Sequence, residues 1–228
     1  MTPKTKVALF DLDHTLLPID SDYSWGVFTQ EIGWTDPVDF QRRNDEFYEN
    51  YKAGTLDVHA YVRFATEAIR LKGREASLQA RERFMRDVIG PALRPEALEL
   101  VRGHQRAGDI VAIVTATNEF VTEPIARAFG VEALIAVKLA RDGEGWITGE
   151  IDGEPSLRAG KVTRVARWLA AQGLDWAGVE TTFYSDSPND LPLLEHCDHP
   201  VATNADDTLR RVALQRGWRI LDLFASHP

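Results

Sequence analysis

The chain has 228 residues, of which 44% are hydrophobic and 27% charged, with a formal net charge of −9 and a single cysteine, Cys197. That length accommodates one full core plus a smaller insert, the acidity argues against a nucleic-acid partner, whose binding surfaces are basic, and one cysteine excludes an intramolecular disulfide. No apolar run approaches the roughly 18 residues of a membrane span, and the stretch before the first acids is too short for a signal peptide, so no membrane association and a cytoplasmic protein are expected.

Residues 6–11 (KVALFD) read as a buried parallel strand that ends on an acid. From Pro18 to Pro95 no strand pattern occurs, and helices are predicted instead. The first runs over 36–54, started by Asp36 with Pro37 and stopped by Gly54, with Phe40, Phe47 and Tyr51 on one face. Further helical patterns cover 57–71 and 74–89, and Pro95 starts a helix that returns to the sheet. A second strand (109–118) precedes a helix over 119–129, and residues 134–151 read as two strands about an Asp-Gly turn. The helix GKVTRVARWLAAQG follows, then strand patterns within 181–190 and 200–203 and a helix over 208–215. This alternation predicts an α/β fold, a doubly wound Rossmann-like parallel sheet formed by 1–17 and 95–228, with 18–94 as a helical cap placed to act as a lid. Ligands of such sheets bind beyond the carboxyl ends of the strands, where Asp11, Thr115 and Asp186 all fall.

Two carboxylates at the end of an apolar strand lose hydration unless something compensates them. In FDLDHT, Asp11 and Asp13 are two residues apart and face one side of an extended chain. That spacing suits phosphoryl transfer, with one carboxylate attacking phosphorus and the second protonating the leaving oxygen. Mg²⁺ takes hard oxygen ligands and keeps several waters, so one or two carboxylates suffice, and Asp11 with Asp186 are the expected ligands. Thr115 offers a hydroxyl, and Lys161 a cation at a helix start, for the phosphoryl oxygens.

The order DLDHT, a strand ending in Thr115, GK at Gly160 and Lys161, then SDSPND at 185–190 resembles the four motifs of the haloacid dehalogenase superfamily of phosphatases, over nearly the whole chain. The helical insert resembles the type-1 cap of its phosphoserine-phosphatase-like branch. The resemblance implies Asp11 as the nucleophile that forms an aspartyl-phosphate and Asp13 as general acid and then base, its backbone carbonyl also on Mg²⁺. It implies Thr115, Lys161 and Asn189 on the phosphoryl group, Asp186 on Mg²⁺, and Asp190 supporting the metal shell and Lys161. The expected metal set is therefore Asp11, Asp13, Asp186 and Asp190. The chain departs from the branch at His14, at Thr115 in place of serine, and in SDSPND, where glycines usually flank the aspartate.

A receiver-type signalling module is the competing reading, but it lacks both the second aspartate and a helical insert here. A phosphomutase differs only in retaining the aspartyl-phosphate. For the substrate, a small phosphorylated metabolite, His14, Asp20, Asn44 and Arg63 are the candidate specificity residues. Asp20 and Asp22, just after the catalytic loop, are placed to supply a counter-charge to a substrate ammonium, and Asp20, seven residues after Asp13, matches the acid that reads the substrate amino group in the branch. Arg63 matches the carboxylate reader by its distance from Gly54, yet it points away from the apolar face of Val58, Tyr61, Ala65 and Ile69. An amino-alcohol phosphate without a carboxylate, histidinol phosphate, is expected ahead of phosphoserine.

Overall fold

A computed structural model describes residues 4–224. Among the described residues six strands form a parallel sheet in the order β3-β2-β1-β6-β7-β8, built from β1 (Thr5–Phe10), β2 (Ile110–Asn118), β3 (Ala133–Val137), β6 (Val179–Ser185), β7 (His199–Thr203) and β8 (Arg219–Leu221). A separate antiparallel pair, β4 (Leu139–Arg141) and β5 (Ile147–Ile151), forms the hairpin. The apolar run expected as the hairpin's first strand thus divides, its first half joining β2 in the main sheet and only its end turning back.

β1 is central because both its faces are apolar. Ala8 and Phe10 pack in one buried cluster with Ile113 and Tyr184, while Val7 and Leu9 pack in another with Val114, Phe183 and Ala202. Helices α7 (Pro95–Arg106) and α8 (Glu119–Ala128) serve the first cluster, and α9 (Ala159–Ala170), α10 (Leu191–Leu194) and α11 (Asp207–Arg216) the second.

Between β1 and α7 lie α1 (Ser21–Glu31), α2 (Pro37–Ala53), α3 (Val58–Ala65), α4 (Glu67–Lys72), α5 (Arg74–Phe84), a π-type turn (Met85–Ile89) and α6 (Gly90–Ala92). α2 starts and stops where the sequence predicts. Asp36 accepts from the Val38 and Asp39 amides, and Gly54 closes the helix at φ +78°, a conformation that favours glycine. The pattern over 57–71 is broken at Thr66, whose hydroxyl donates to the Val62 carbonyl at 2.6 Å. α1 and α5 share the sheet's core through Trp25, Phe28 and Phe84, whereas Phe40, Phe47, Tyr61 and Phe64 form a ring cluster between α2 and α3.

Candidate active site

The chain leaves β1 at Asp11 and turns at once, with the Leu16 and Leu17 amides both donating to the Leu12 carbonyl. His14 occupies the left-handed region at φ +57° to make this turn, and its side chain is exposed. The turn folds Thr15 back beneath the acids. Its hydroxyl lies 3.3 Å from Asp11 Oδ2 and 3.1 Å from Asp186 Oδ1, and it accepts from the Asp186 amide at 3.0 Å.

Lys161 enters from the first turn of α9. Gly160 precedes it because a Cβ there would meet the Pro155 carbonyl at 2.1 Å. The lysine is buried and donates to Asp11 Oδ1 at 2.8 Å and to Asp190 Oδ2 at 2.7 Å, while Ser185 also donates to Asp190 Oδ2. Burial works against its charge, but Asp11 and Asp190 more than offset this and hold its pKa above the usual lysine value. Burial pushes the Asp190 carboxyl up to about 6 against the pull of Lys161; the pair is an ion pair at neutral pH because the lysine is surrounded by acids.

The Asp13 carboxyl has partners of its own. Its Oδ1 accepts from the Ser21 amide at 2.7 Å and its Oδ2 from the Thr117 hydroxyl at 2.8 Å. Burial, with the charge of Asp20, raises it to about 6. β2 does not end at Thr115 as the motif order suggests but runs on to Asn118; Thr115 is buried within it, its hydroxyl accepting from the Thr117 amide at 3.1 Å. Asn189 is half-buried, and its Oδ1 accepts from Arg158 Nε at 3.2 Å.

The acids expected at the metal do not all turn their carboxylates to one point. Asp190 is committed to Lys161 and Ser185, and the Asp13 side chain to Ser21 and Thr117, leaving only its backbone carbonyl for that expectation. Asp11 and Asp186 do flank a common point at the Thr15 hydroxyl. Burial, followed by the charges of Asp11 and Asp190, drives Asp186 up to about 9; Asp11 and Asp190 already share the single lysine, so the site is short of positive charge. Among the described residues no group of three or more His, Cys, Asp or Glu side chains forms a cage. Two carboxylates and a charge deficit fit Mg²⁺, which keeps most of its water.

Of the candidate specificity residues, Asn44 lines a cavity in the insert together with Asp22 and Tyr61. Asp20 is the N-cap of α1, accepting from the Tyr23 amide at 2.9 Å. His14 is exposed on its turn. Arg63 is excluded from the site: 46% exposed, it pairs with Glu150 of the hairpin at 3.1 Å.

Several residues were not singled out by the sequence patterns. Thr15, Thr117 and Ser185 position the acids. Tyr51, expected only as part of an apolar face of α2, turns its hydroxyl to Ser187, and burial, with the charge of Asp190, raises that hydroxyl to about 12. Arg158 links the Tyr51 and Gly54 carbonyls to Asn189. Thr15 and Ser185 fall inside the DLDHT and SDSPND motifs, and Thr117 shares the strand face of Thr115.

The profile of haloacid dehalogenase-like hydrolases matches residues 8–195. The chain is 38% identical over 218 residues to a histidinol-phosphatase of Neisseria meningitidis, covering 95% of this chain and 98% of the relative. A crystal structure of a protein of unknown function from Bordetella pertussis superposes with a TM-score of 0.92 at 48% identity, over 97% of this chain and 100% of that one. A substrate-bound phosphoserine phosphatase shares the fold at a TM-score of 0.63 and 18% identity, over 96% and 93% of the two chains. With its motifs assembled at the ends of β1, β2 and β6, the chain belongs to the haloacid dehalogenase-like hydrolases and is a phosphoric monoester hydrolase of that family.

Proposed function

We propose that the protein is a Mg²⁺-dependent histidinol-phosphatase of the cytoplasm that works through an aspartyl-phosphate. The observation that carries the substrate is the end-to-end similarity to a histidinol-phosphatase. The exposed pairing of Arg63 with Glu150, which removes the candidate reader of a substrate carboxylate, supports it.

Asp11 attacks phosphorus, the bond to the leaving oxygen breaks, and Asp13 passes its proton to that oxygen as the alcohol departs. Water then attacks the acyl phosphate, Asp13 takes its proton, and Asp11 is released with inorganic phosphate. Lys161 and Thr115 hold the phosphoryl oxygens, with Asn189 beside them. Asp190 and Ser185 keep the lysine charged and fixed. Asp11 and Asp186, with the Asp13 carbonyl, would hold Mg²⁺, which supplies neutralisation of the phosphate charge. Residues 18–94 act as the cap and 1–17 with 95–228 as the catalytic core.

The test is kcat/KM for histidinol phosphate beside phosphoserine at matched Mg²⁺. Histidinol phosphate is expected to be preferred by about two orders of magnitude, the equivalent of the roughly 3 kcal/mol that a substrate carboxylate without a partner costs. A preference for phosphoserine that Arg63→Ala abolishes would overturn the substrate assignment.

A further inference from the structure

β7 ends at Thr203, and the next residue, Asn204, takes the left-handed conformation at φ +49°, which asparagine tolerates better than most residues with a side chain. From there its half-buried side chain reaches two separate parts of the chain. Nδ2 donates to the carbonyls of His14 at 3.0 Å and Thr15 at 3.2 Å, in the turn that follows β1. Oδ1 accepts from the amides of Leu223 at 2.7 Å and Phe224 at 3.2 Å, beyond β8. Both amide protons and both oxygen lone pairs are thereby used, and the flipped amide would set donors against donors and acceptors against acceptors. An aspartate here has no proton for the two carbonyls.

The same loop also holds the end of β6. The amide of Asp206 donates to the Asp186 carbonyl at 3.0 Å. Thr15 closes the ring, its hydroxyl lying 3.1 Å from Asp186 Oδ1 and 3.3 Å from Asp11 Oδ2. Residues 204–206 therefore tie together, from outside the sequence motifs, the two segments that carry Asp11 and Asp186. Two like-charged carboxylates around one point repel each other, so their separation has to be imposed by the backbone that bears them. His14 stands in that backbone at φ +57°, a conformation that persists only where surrounding contacts over-determine it, and the Asn204 amide is such a contact.

We propose that Asn204 is a positioning residue for the phosphoryl-transfer centre: anchored on the segment beyond β8, its amide holds the turn of His14 and Thr15, and with it the separation of Asp11 and Asp186 on which metal binding depends. The proposal rests on the reading of the chain as a Mg²⁺-dependent phosphatase but not on the identity of its substrate.

In the test, Mg²⁺ is titrated calorimetrically into the substrate-free protein, for the wild type, Asn204→Gly and Asn204→Asp. Hydrolysis of p-nitrophenyl phosphate is followed against Mg²⁺ concentration in the same three proteins. Glycine keeps the left-handed backbone and removes all four side-chain hydrogen bonds, whereas aspartate keeps an acceptor for Leu223 and Phe224 and loses only the two bonds to the turn. Both variants are expected to bind Mg²⁺ about 10- to 100-fold more weakly, the usual consequence of removing an outer partner of a metal site, and to need correspondingly more Mg²⁺ for half-maximal activity. At saturating Mg²⁺ the KM for substrate is expected to stay within about threefold of the wild type. A role in stability alone lowers Tm and leaves the Mg²⁺ affinity of the folded variants at its wild-type value, and that result overturns the proposal. A loss confined to Asn204→Gly overturns it too, because it places the effect beyond β8 and not in the turn. Should one variant not fold, the affinity of the other decides. A wild type that neither binds nor needs Mg²⁺ overturns the metal reading and this proposal with it, whereas a Mg²⁺-dependent wild type with unchanged affinity in the variants overturns this proposal alone.

Discussion

At Asp13 two hydrogen bonds decide where a proton can be delivered. Ser21 and Thr117 occupy one lone pair on each oxygen and hold the carboxyl at the strand end, while burial sets it near 6, where it can both give and take a proton close to neutrality. Asp13→Asn keeps the shape and loses the proton. With alkyl phosphomonoesters kcat is expected to fall by about 10²–10⁴, the usual worth of a general acid. With p-nitrophenyl phosphate the leaving nitrophenolate departs without a proton, so the first step survives and the hydrolysis of the aspartyl-phosphate starves. Rapid mixing is expected to give a burst of about one nitrophenolate per active site followed by slow turnover. Equal losses on both substrates without a burst would place Asp13 elsewhere in the reaction. Asp11, Asp13, Lys161 and Asp186, the residues proposed to perform the chemistry, stand at motif spacings and so could be picked from the sequence; most of the residues that hydrogen-bond to them could not. Thr15, Ser185 and Arg158 find their partners through the fold, and a hydrogen bond between positions 158 and 51 leaves no local pattern.

The same division holds among the elements. β1 and β2 are visible as apolar runs because a central parallel strand is buried on both faces. α1 was not foreseen: its buried side includes Ser21, Asp22, Gly26 and Thr29 beside Trp25 and Phe28, so no apolar stripe marks it. β8, with three residues, is held by its register with Val201–Thr203 more than by its own composition. The contact between α2 and the core is equally invisible in sequence and carries a prediction. Arg158 donates to the Tyr51 carbonyl at 3.2 Å, the Gly54 carbonyl at 3.3 Å and Asn189 Oδ1 at 3.2 Å, tying the end of α2 to the catalytic loop and seating Tyr51 near Lys161. It does so from φ +52°, a backbone conformation that costs a non-glycine residue about 1–3 kcal/mol. Arg158→Ala and Arg158→Gly are both expected to raise KM about tenfold with a smaller fall in kcat, because both release α2 from Asn189. Thermal unfolding separates strain from latch: the glycine variant is expected to exceed the alanine variant in stability by about 1 kcal/mol, since only glycine relaxes there. Wild-type KM in both variants would refute the latch.

For the whole molecule, the excess of acid over base converges on the site. Asp13, Asp22 and Asp186 are raised to about 6, 7 and 9 from an unfolded value near 3.8, all with burial as the leading cause. A carboxyl whose folded pKa is raised contributes stability that is fully present below its unfolded pKa and is lost as pH rises through its folded pKa. The metal-free protein is therefore expected to lose stability progressively from about pH 4 to about pH 9, with Asp186 the last of the three to ionise. Mg²⁺ held at the Asp11–Asp186 pair, as proposed, would compete with that proton and so would stabilise most where the proton is scarce. At 100 times its dissociation constant an ion that binds only the folded state adds about 2.7 kcal/mol, which for a chain of this size raises Tm by about 5–10 °C. Scanning calorimetry near pH 5.5 and pH 8.5, in chelator and then in Mg²⁺, is expected to show a larger rise at the higher pH. Asp186→Ala should abolish the rise and should also flatten the decline of the metal-free protein at the alkaline end, because the last carboxyl to ionise has been removed. A Mg²⁺ effect of equal size at both pH values, or one that survives Asp186→Ala, would show that the ion binds somewhere other than between Asp11 and Asp186.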